Sequence, residues 1–293
     1  GRIRSYIRTQ KESFPRMGHD TVRFIYRAFA GHLDYLQYGT AVIEKDEVKK
    51  ELQDFSNTKS LTYYVLMLQR LYLEGRIDQA YALLQDMSAA MHLLKGYILY
   101  ADLLFYSVLV RLDAHPSLPK ADKRKNKRLI NSRMRELDHW VTIYKENHYA
   151  RSLLLKAEYA RRFRKNSAVQ RMYHEAIFHA GEKGFVQIEA LANRLAARYC
   201  RYSKKLSRFY AAEAAALYRK WGAAFIAGYL EKEYGLKRNP DHSHASAPAA
   251  YAAERCDGRR TEQRIIYHLD QVQKLGGDRG ILYLLNVIAE SSR

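Results

Sequence analysis

The chain has 293 residues, 47% of them hydrophobic, so it can bury a core and is not expected to be disordered. Its 50 Lys and Arg side chains outnumber the 31 Asp and Glu side chains, which leaves a formal charge of +19 at pH 7. Such an excess attracts polyanions, among them nucleic acids, acidic protein surfaces and phosphoinositide headgroups, and does not choose between them.

The number of cysteines and the hydropathy of the chain exclude further classes of protein. Cys200 and Cys256 are too few for a disulfide framework or a zinc cluster, and they indicate a reducing, cytoplasmic setting. The most apolar stretch, residues 97–112, is interrupted by Asp102 and Arg111 and is shorter than the ~20 residues that a bilayer span requires. We therefore expect no membrane helix. The first residue is not methionine and no apolar leader follows it, so we also expect a segment of a longer protein.

Apolar residues at helical spacing begin early in the chain. Residues 1–16 are interpreted as a linker, and residues 22–38 and 45–55 as a first, weaker helix pair. No run of alternating apolar and polar residues appears anywhere, so the sequence predicts an all-α fold.

A clearer hairpin follows. Residues 61–72 place apolar side chains on one face of a helix that stops near Gly75, and a second helix begins at Asp78. The turn resembles that of a tetratricopeptide repeat, with Ile77 where an aromatic residue is usual. Glycine frees the turn, and Ala80 lets the two helices approach closely.

The middle of the chain continues this pattern. Residues 91–112 form an apolar seam spaced three then four, which ends at Pro116 and Pro119. The basic run 120–128 precedes a helix predicted to end near Asn147. Further helices are predicted at residues 149–160, 168–180, 188–199, 206–221 and 223–234.

The hairpins start roughly 30 to 40 residues apart, the period of stacked two-helix repeats. We therefore predict an α-solenoid of stacked antiparallel helix pairs over residues 17–236, a tetratricopeptide-like helical-repeat domain. Residues 237–260 contain two prolines among small and polar residues and are interpreted as a flexible linker. Residues 261–293 return to helical spacing and are too few to fold alone.

Four segments carry a resemblance to a known family. They are residues 173–185 (YHEAIFHAGEKGF), 189–199 (EALANRLAARY), 211–222 (AAEAAALYRKWG) and 230–234 (LEKEY). The region around them, residues 60–234, resembles the helical-repeat region of large bacterial multidomain signalling ATPases. Those proteins join a serine/threonine kinase-like domain, a nucleotide-binding module, the repeat region, a GAF domain and often a histidine kinase.

The resemblance implies a regulatory role in signal transduction and lends no active-site residues to this chain. Residues 261–293 look like the helical connector that leads into the GAF domain of such proteins. One departure lies at Ser203-Lys204-Lys205, where the turn lacks the glycine usual in the family.

No motif in the sequence supports catalysis or cofactor binding. His174 and His179 are five residues apart on a helix, so they point away from each other and are interpreted as surface histidines rather than zinc ligands. The glycine-rich segment 276–280 lacks the Lys and Ser or Thr of a phosphate-binding loop. Cys200 lies beside Arg201, which could activate a thiol, but a structural role is favoured. We therefore predict no catalytic residue, metal ligand or cofactor.

Three basic groups could together bind a polyanion. The candidates are Lys123, Arg124, Lys125, Lys127, Arg128, Arg161, Arg162, Arg164, Lys204 and Lys205. Lys120, Lys165, Arg201 and Arg208 extend the same groups. All three fall at predicted helix ends, so stacking could align them into a stripe along a phosphate backbone. Alternatively, they are solvated helix ends, where cations at a C-terminus favour the helix dipole.

The sequence thus favours a non-catalytic, cytoplasmic segment that binds a protein partner or effector in the inner groove of the stack and couples it to neighbouring domains. The alternative is a basic helical-repeat protein that binds RNA or single-stranded DNA.

Overall fold

The computed structural model describes residues 20–40, 58–95, 97, 99–164 and 168–236. All regular structure in these residues is helical, which confirms the all-α prediction for this part of the chain. The helix expected at 45–55, the linkers at 1–16 and 237–260 and the connector at 261–293 lie outside the described residues.

Ten α-helices occur in the described residues: Asp20–Tyr38 (α1), Thr58–Leu73 (α2), Ile77–Asp86 (α3), Leu99–Ala114 (α4), Lys120–Ile143 (α5), Lys145–Phe163 (α6), Val169–Glu182 (α7), Val186–Tyr199 (α8), Lys204–Trp221 (α9) and Ala224–Tyr234 (α10). Short 3-10 segments lie at Met91–Leu94, His115–Ser117 and Cys200–Tyr202. Each helix predicted within the described residues has a counterpart, and the differences are in where helices begin and end.

Two boundaries differ from the prediction. The seam at 91–112 is not one helix, because the backbone at Lys95 is extended and separates the first 3-10 segment from α4. The basic run 120–128 is not a connection but the first part of α5. Pro119 caps this helix, since its carbonyl accepts the N–H groups of Asp122 and Lys123 at 3.0 and 3.1 Å.

The same turn ends four of the described helices. Gly75, Gly184, Gly222 and Gly235 have φ of 75°, 72°, 96° and 58°, a conformation that glycine adopts without steric cost. In each turn the N–H of the residue after glycine donates back over five residues to a helix carbonyl. These bonds are Arg76 to Leu71, Phe185 to Ala180, Ala223 to Tyr218 and Leu236 to Glu231, at 2.9, 2.9, 2.8 and 2.9 Å.

The turn between α8 and α9 is built differently, as the missing glycine indicates. A 3-10 segment follows α8, and Ser203 then takes an extended conformation at the start of α9. The Ser203 hydroxyl accepts the N–H of Leu206 at 3.5 Å, so a serine cap replaces the glycine turn.

Helix α4 forms the centre of the core. Fourteen of its 16 residues are buried, because it packs against α2, α3, α5 and α6. This burial explains why residues 97–112 form the most apolar stretch of the sequence: α4 is surrounded by other helices. Among the described helices, none combines the length and apolar character that crossing a membrane demands.

The first and last described helices are in contact. α1 packs against both α2 and α10, and the rings of Tyr35 and Phe225 meet edge to face at 5.5 Å. Further inside, Arg194 of α8 donates to the carbonyl of Leu73 at the end of α2, at 2.7 Å. In an open solenoid each repeat contacts only its sequence neighbours. The helices here stack on their neighbours and also close the array from end to end.

Replacing Gly39 tests this closure. Gly39 and Gly75 have nearly equal φ, 76° and 75°, so alanine at either position carries a similar backbone cost of about 1–2 kcal/mol. A Cβ at Gly39 would lie 2.5 Å from the Phe225 ring, whereas a Cβ at Gly75 meets no atom within 4 Å. We expect Gly39→Ala to lose about 0.5–1.5 kcal/mol more than Gly75→Ala in urea unfolding, because the ring must leave Tyr35. Equal losses would contradict the α1–α10 contact.

Candidate functional site

A cluster of charged side chains, the charged junction, lies inside the array. Its members are Tyr72 of α2, Asp113 of α4, Glu158, Arg161 and Arg162 of α6, Tyr173 of α7 and Arg198 of α8. Five helices between residues 58 and 199 thus contribute to one network.

Glu158 is the centre of the junction and is fully buried. Arg161, one helical turn later, donates to its Oε2 from Nε at 3.0 Å and from Nη2 at 2.5 Å. Arg198 donates to the same oxygen at 3.0 Å, and the Tyr173 hydroxyl donates to Oε1. Both oxygens of this carboxylate therefore have donors.

Asp113 is the second carboxylate of the junction. It accepts Arg161 Nη2 at 2.9 Å on Oδ1, and Arg198 Nη1 at 2.7 Å on Oδ2. The Tyr72 hydroxyl donates to Oδ2 at 3.3 Å, and Arg162 lies 3.5 Å from Oδ1. Arg161 and Arg198 each bridge both acids, which joins α4, α6 and α8.

The pKa shifts follow from this geometry. Burial alone would raise the pKa of Asp113, but the Arg198 and Arg161 guanidinium groups outweigh it and lower the pKa below the usual range. Burial, and then the nearby carboxylates, raise the pKa values of Tyr72 and Tyr173 well above normal. These shifts hold Asp113 ionised and both phenols neutral, an arrangement that binds helices together.

Two of the three predicted basic groups meet beside His115, at a site that we call the His115 patch. It includes Lys123, Lys127 and Arg162, whose charges, after burial, lower the pKa of His115. Phe163 joins the two groups, since its ring lies 4.9 Å from the His115 ring and 4.7 Å from Lys127 Nζ. Residues of the first and second basic groups thus lie near one another, and alignment of all three groups into one stripe stays a prediction.

The other candidates are placed elsewhere. Arg124, Lys125 and Arg128 are exposed on α5, and Lys204 and Lys205 are exposed in the first turn of α9.

The neighbours of the third group are engaged locally. Arg201 pairs with Glu233 at 2.8 Å, and Arg208 donates to the Gly235 carbonyl at 3.0 Å. Both contacts tie the α8–α9 turn to the end of α10.

Arg161 and Arg162 differ from the rest of the candidates because they contact the junction carboxylates. Both arginines lie in the last turn of α6, where a cation interacts favourably with the helix dipole. The first and third groups instead begin α5 and α9, where the helix dipole disfavours cations, so the dipole explanation is wrong for them. Lys165 lies outside the described residues.

A groove of about 580 Å³ crosses α5, α6 and α7, and we call it the basic groove. It is lined by Asn131, Met134, Arg135, Asp138, Lys156, Tyr159, Ala160, Arg164 and Met172. Asp138 is already engaged, since Lys156 Nζ lies 2.9 Å and Ser152 Oγ 2.5 Å from its Oδ1. Neither Arg135 nor Arg164 forms an ion pair with a residue that the structure describes.

The remaining reactive side chains have structural partners. His174 hydrogen-bonds Tyr210, whereas His179 contacts Glu182 at 3.9 Å, so the two histidines face different neighbours as predicted. Cys200 is fully buried, and burial raises its pKa, which does not favour a reactive thiol. No set of potential ligands in the described part of the chain could hold a metal ion.

No motif in the sequence identifies the junction acids or the groove. The one local signal is a carboxylate on an apolar face, since Glu158 follows Leu154 by one helical turn and Asp113 directly follows the α4 seam. Met134 and Met172 of the groove lie on separate helices, and only their packing places them together.

Comparison with known proteins finds no match to this chain among protein families, curated proteins or solved structures.

Replacing Glu158 tests the junction. Glu158→Ala leaves Arg161 and Arg198 without one of their two acids, and we expect a loss of about 3–5 kcal/mol in urea unfolding. The control is Glu175→Ala, which removes an exposed pair with Arg171 at 3.6 Å and should cost less than about 1 kcal/mol. Similar losses for both variants would contradict a structural role for the junction.

The pH dependence of stability tests how His148 packs between α5 and α6. Its ring meets Trp140 at 5.4 Å, and burial, followed by the charge of Arg151, lowers its pKa to about 4. The unfolded chain, with a pKa near 6.5, binds the proton more readily, so stability falls as pH decreases from about 6.5 towards 4. We expect His148→Gln to remove about 2 kcal/mol of that fall, measured by urea unfolding from pH 4.5 to 7.

The same replacement at His139, an exposed residue of α5, is the control. Wild-type and His148→Gln stability curves that stay parallel across this range would contradict burial of the neutral imidazole.

Proposed function

We propose that residues 17–236 form a tetratricopeptide-like repeat segment of a multidomain signalling ATPase or kinase. In this proposal the segment binds a protein partner or effector and couples it to neighbouring domains, without catalysing a reaction itself. The observation that carries the proposal is the recurrence of one glycine turn, with the same backward hydrogen bond, after α2, α7, α9 and α10. Recurring helix hairpins are typical of scaffolds that present binding surfaces to other proteins.

The charged junction supports the coupling part of the proposal. It ties α2, α4, α6, α7 and α8, and its Asp113 accepts hydrogen bonds from residues as distant in sequence as Tyr72 and Arg198. Helices joined in this way move together, so a force applied at one end is transmitted to the other instead of being absorbed locally.

The encoding reading frame provides the first test. We expect it to continue into a nucleotide-binding module on one side and a GAF domain on the other. In the full-length protein, Glu158→Ala should change ATP turnover by the nucleotide-binding module several-fold, while Glu175→Ala should not. A reading frame that encodes neither domain would contradict the proposal. ATP hydrolysis by residues 1–293 alone, above a buffer control, would also contradict it.

The His115 patch favours a second candidate, binding of RNA or single-stranded DNA. The charges of Lys123, Lys127 and Arg162 all act on His115, and the Phe163 ring lies 4.9 Å from the His115 ring and 4.7 Å from Lys127 Nζ. Clustered cations bind the phosphate backbone, and this candidate rests on them, because the Phe163 ring already meets His115, Tyr159 and Lys127.

Salt-dependent binding tests this candidate. For a 20-nucleotide single strand, we expect Lys123→Ala/Lys127→Ala to flatten the plot of log affinity against log salt by about 1.4, because two phosphate contacts are lost. Lys204→Ala/Lys205→Ala is the matched control and should leave the slope unchanged if the patch alone binds. Fluorescence anisotropy from 50 to 300 mM salt gives the slope, and absence of binding at 50 mM excludes the candidate.

A further inference from the structure

The basic groove combines an apolar floor with a positive rim. Met134, Tyr159 and Met172 pack partly against the core from α5, α6 and α7 and leave their remaining surface in the groove. Its volume of about 580 Å³ lies within the range of protein binding sites. Methionine side chains are flexible and polarisable, so a floor built on two of them adapts to aliphatic side chains of a partner.

The charges of the groove select for an acidic partner. Arg135, Lys156 and Arg164 supply three positive charges against the single negative charge of Asp138. Because Asp138 is held by Lys156 and Ser152, it does not neutralise the two arginines. Arginine binds carboxylates and phosphates through paired hydrogen bonds, so the two groove arginines suit an acidic partner.

The aromatic content of the groove disfavours a nucleic acid. Tyr159 is the one aromatic side chain in its lining, and the Arg164 guanidinium lies 5.9 Å from the centre of that ring. Binding of single strands relies on open aromatic faces on which bases stack. An apolar floor flanked by cations instead matches an amphipathic helix with acidic edges.

We infer that the basic groove is the docking site of an acidic amphipathic helix of a partner protein, whose aliphatic side chains contact Met134 and Met172 and whose carboxylates pair with Arg135 and Arg164. This inference rests on the proposed function, for which it identifies the surface and the chemical class of the partner.

A designed peptide serves as the probe. It is a fluorescein-labelled 18-residue helix with leucine at positions i, i+3, i+4 and i+7 and glutamate on both flanks, and binding is followed by anisotropy at ~0.15 M salt. We expect Arg135→Glu/Arg164→Glu to weaken binding at least about tenfold. The matched control, Lys204→Glu/Lys205→Glu, carries the same change in charge away from the groove and should stay within about twofold. A scrambled peptide of equal composition should bind at least about tenfold more weakly.

Methionine methyl resonances report the location of binding independently of any substitution. In protein labelled at the methionine methyl groups, the peptide should shift the signals of Met134 and Met172. It should leave the signal of Met87, which is fully buried, in place.

Each other outcome overturns the inference. Peptide binding that leaves Met134 and Met172 unshifted, or that the groove variant does not weaken, places the partner elsewhere and leaves the chain an interaction segment. Displacement of the peptide by an 18-nucleotide single-stranded RNA that shifts the same methyl signals assigns the groove to nucleic acid. Absence of peptide binding overturns the groove assignment alone, because the turnover experiment on the full-length protein tests the proposed function separately.

Discussion

The burial of Glu158 is the constraint on which the architecture depends. A carboxylate removed from water loses several kcal/mol of solvation, and this loss is offset only where charged donors surround it. Arg161 comes from the same helix, but Arg198 and Tyr173 must be delivered by α8 and α7. The helices are therefore required to meet at one point and in one register, since a displaced helix would leave a buried charge unpaired.

The closed arrangement of the helices follows the same logic. α4 is apolar on nearly all sides and needs neighbours around its whole circumference, which α2, α3, α5 and α6 provide. Its final turn carries Asp113 into the junction, where Arg161 and Arg198 anchor it. Apolar burial of α4 thus stabilises the fold but does not depend on the exact orientation of the helices. The hydrogen-bonded charges fix the orientation of the helices around α4.

The excess of positive charge is divided between two roles. Inside, arginines outnumber acids in the junction, so the network retains a positive character that extends through Arg162 to the His115 patch. Outside, Arg135 and Arg164 flank an apolar floor and have no carboxylate partner among the described residues. In the described part of the chain, the three junction arginines all pair with carboxylates, unlike Arg135 and Arg164. The +19 charge thus includes arginines that orient helices and arginines that lie at the surface of the groove.

The sequence by itself determined the helices, because apolar spacing, proline and glycine act within a few residues of chain. It predicted the turns at Gly75 and the glycine-free turn at Ser203, and it identified α4 as the most apolar element. It also marked basic groups that could converge. Only the tertiary structure decided which of them meet, that Glu158 and Asp113 are enclosed, and that methionines from α5 and α7 share one groove. The reason is physical: helical periodicity records which face of a helix is buried, but the partner of that face depends on how whole helices cross, and no local pattern encodes it.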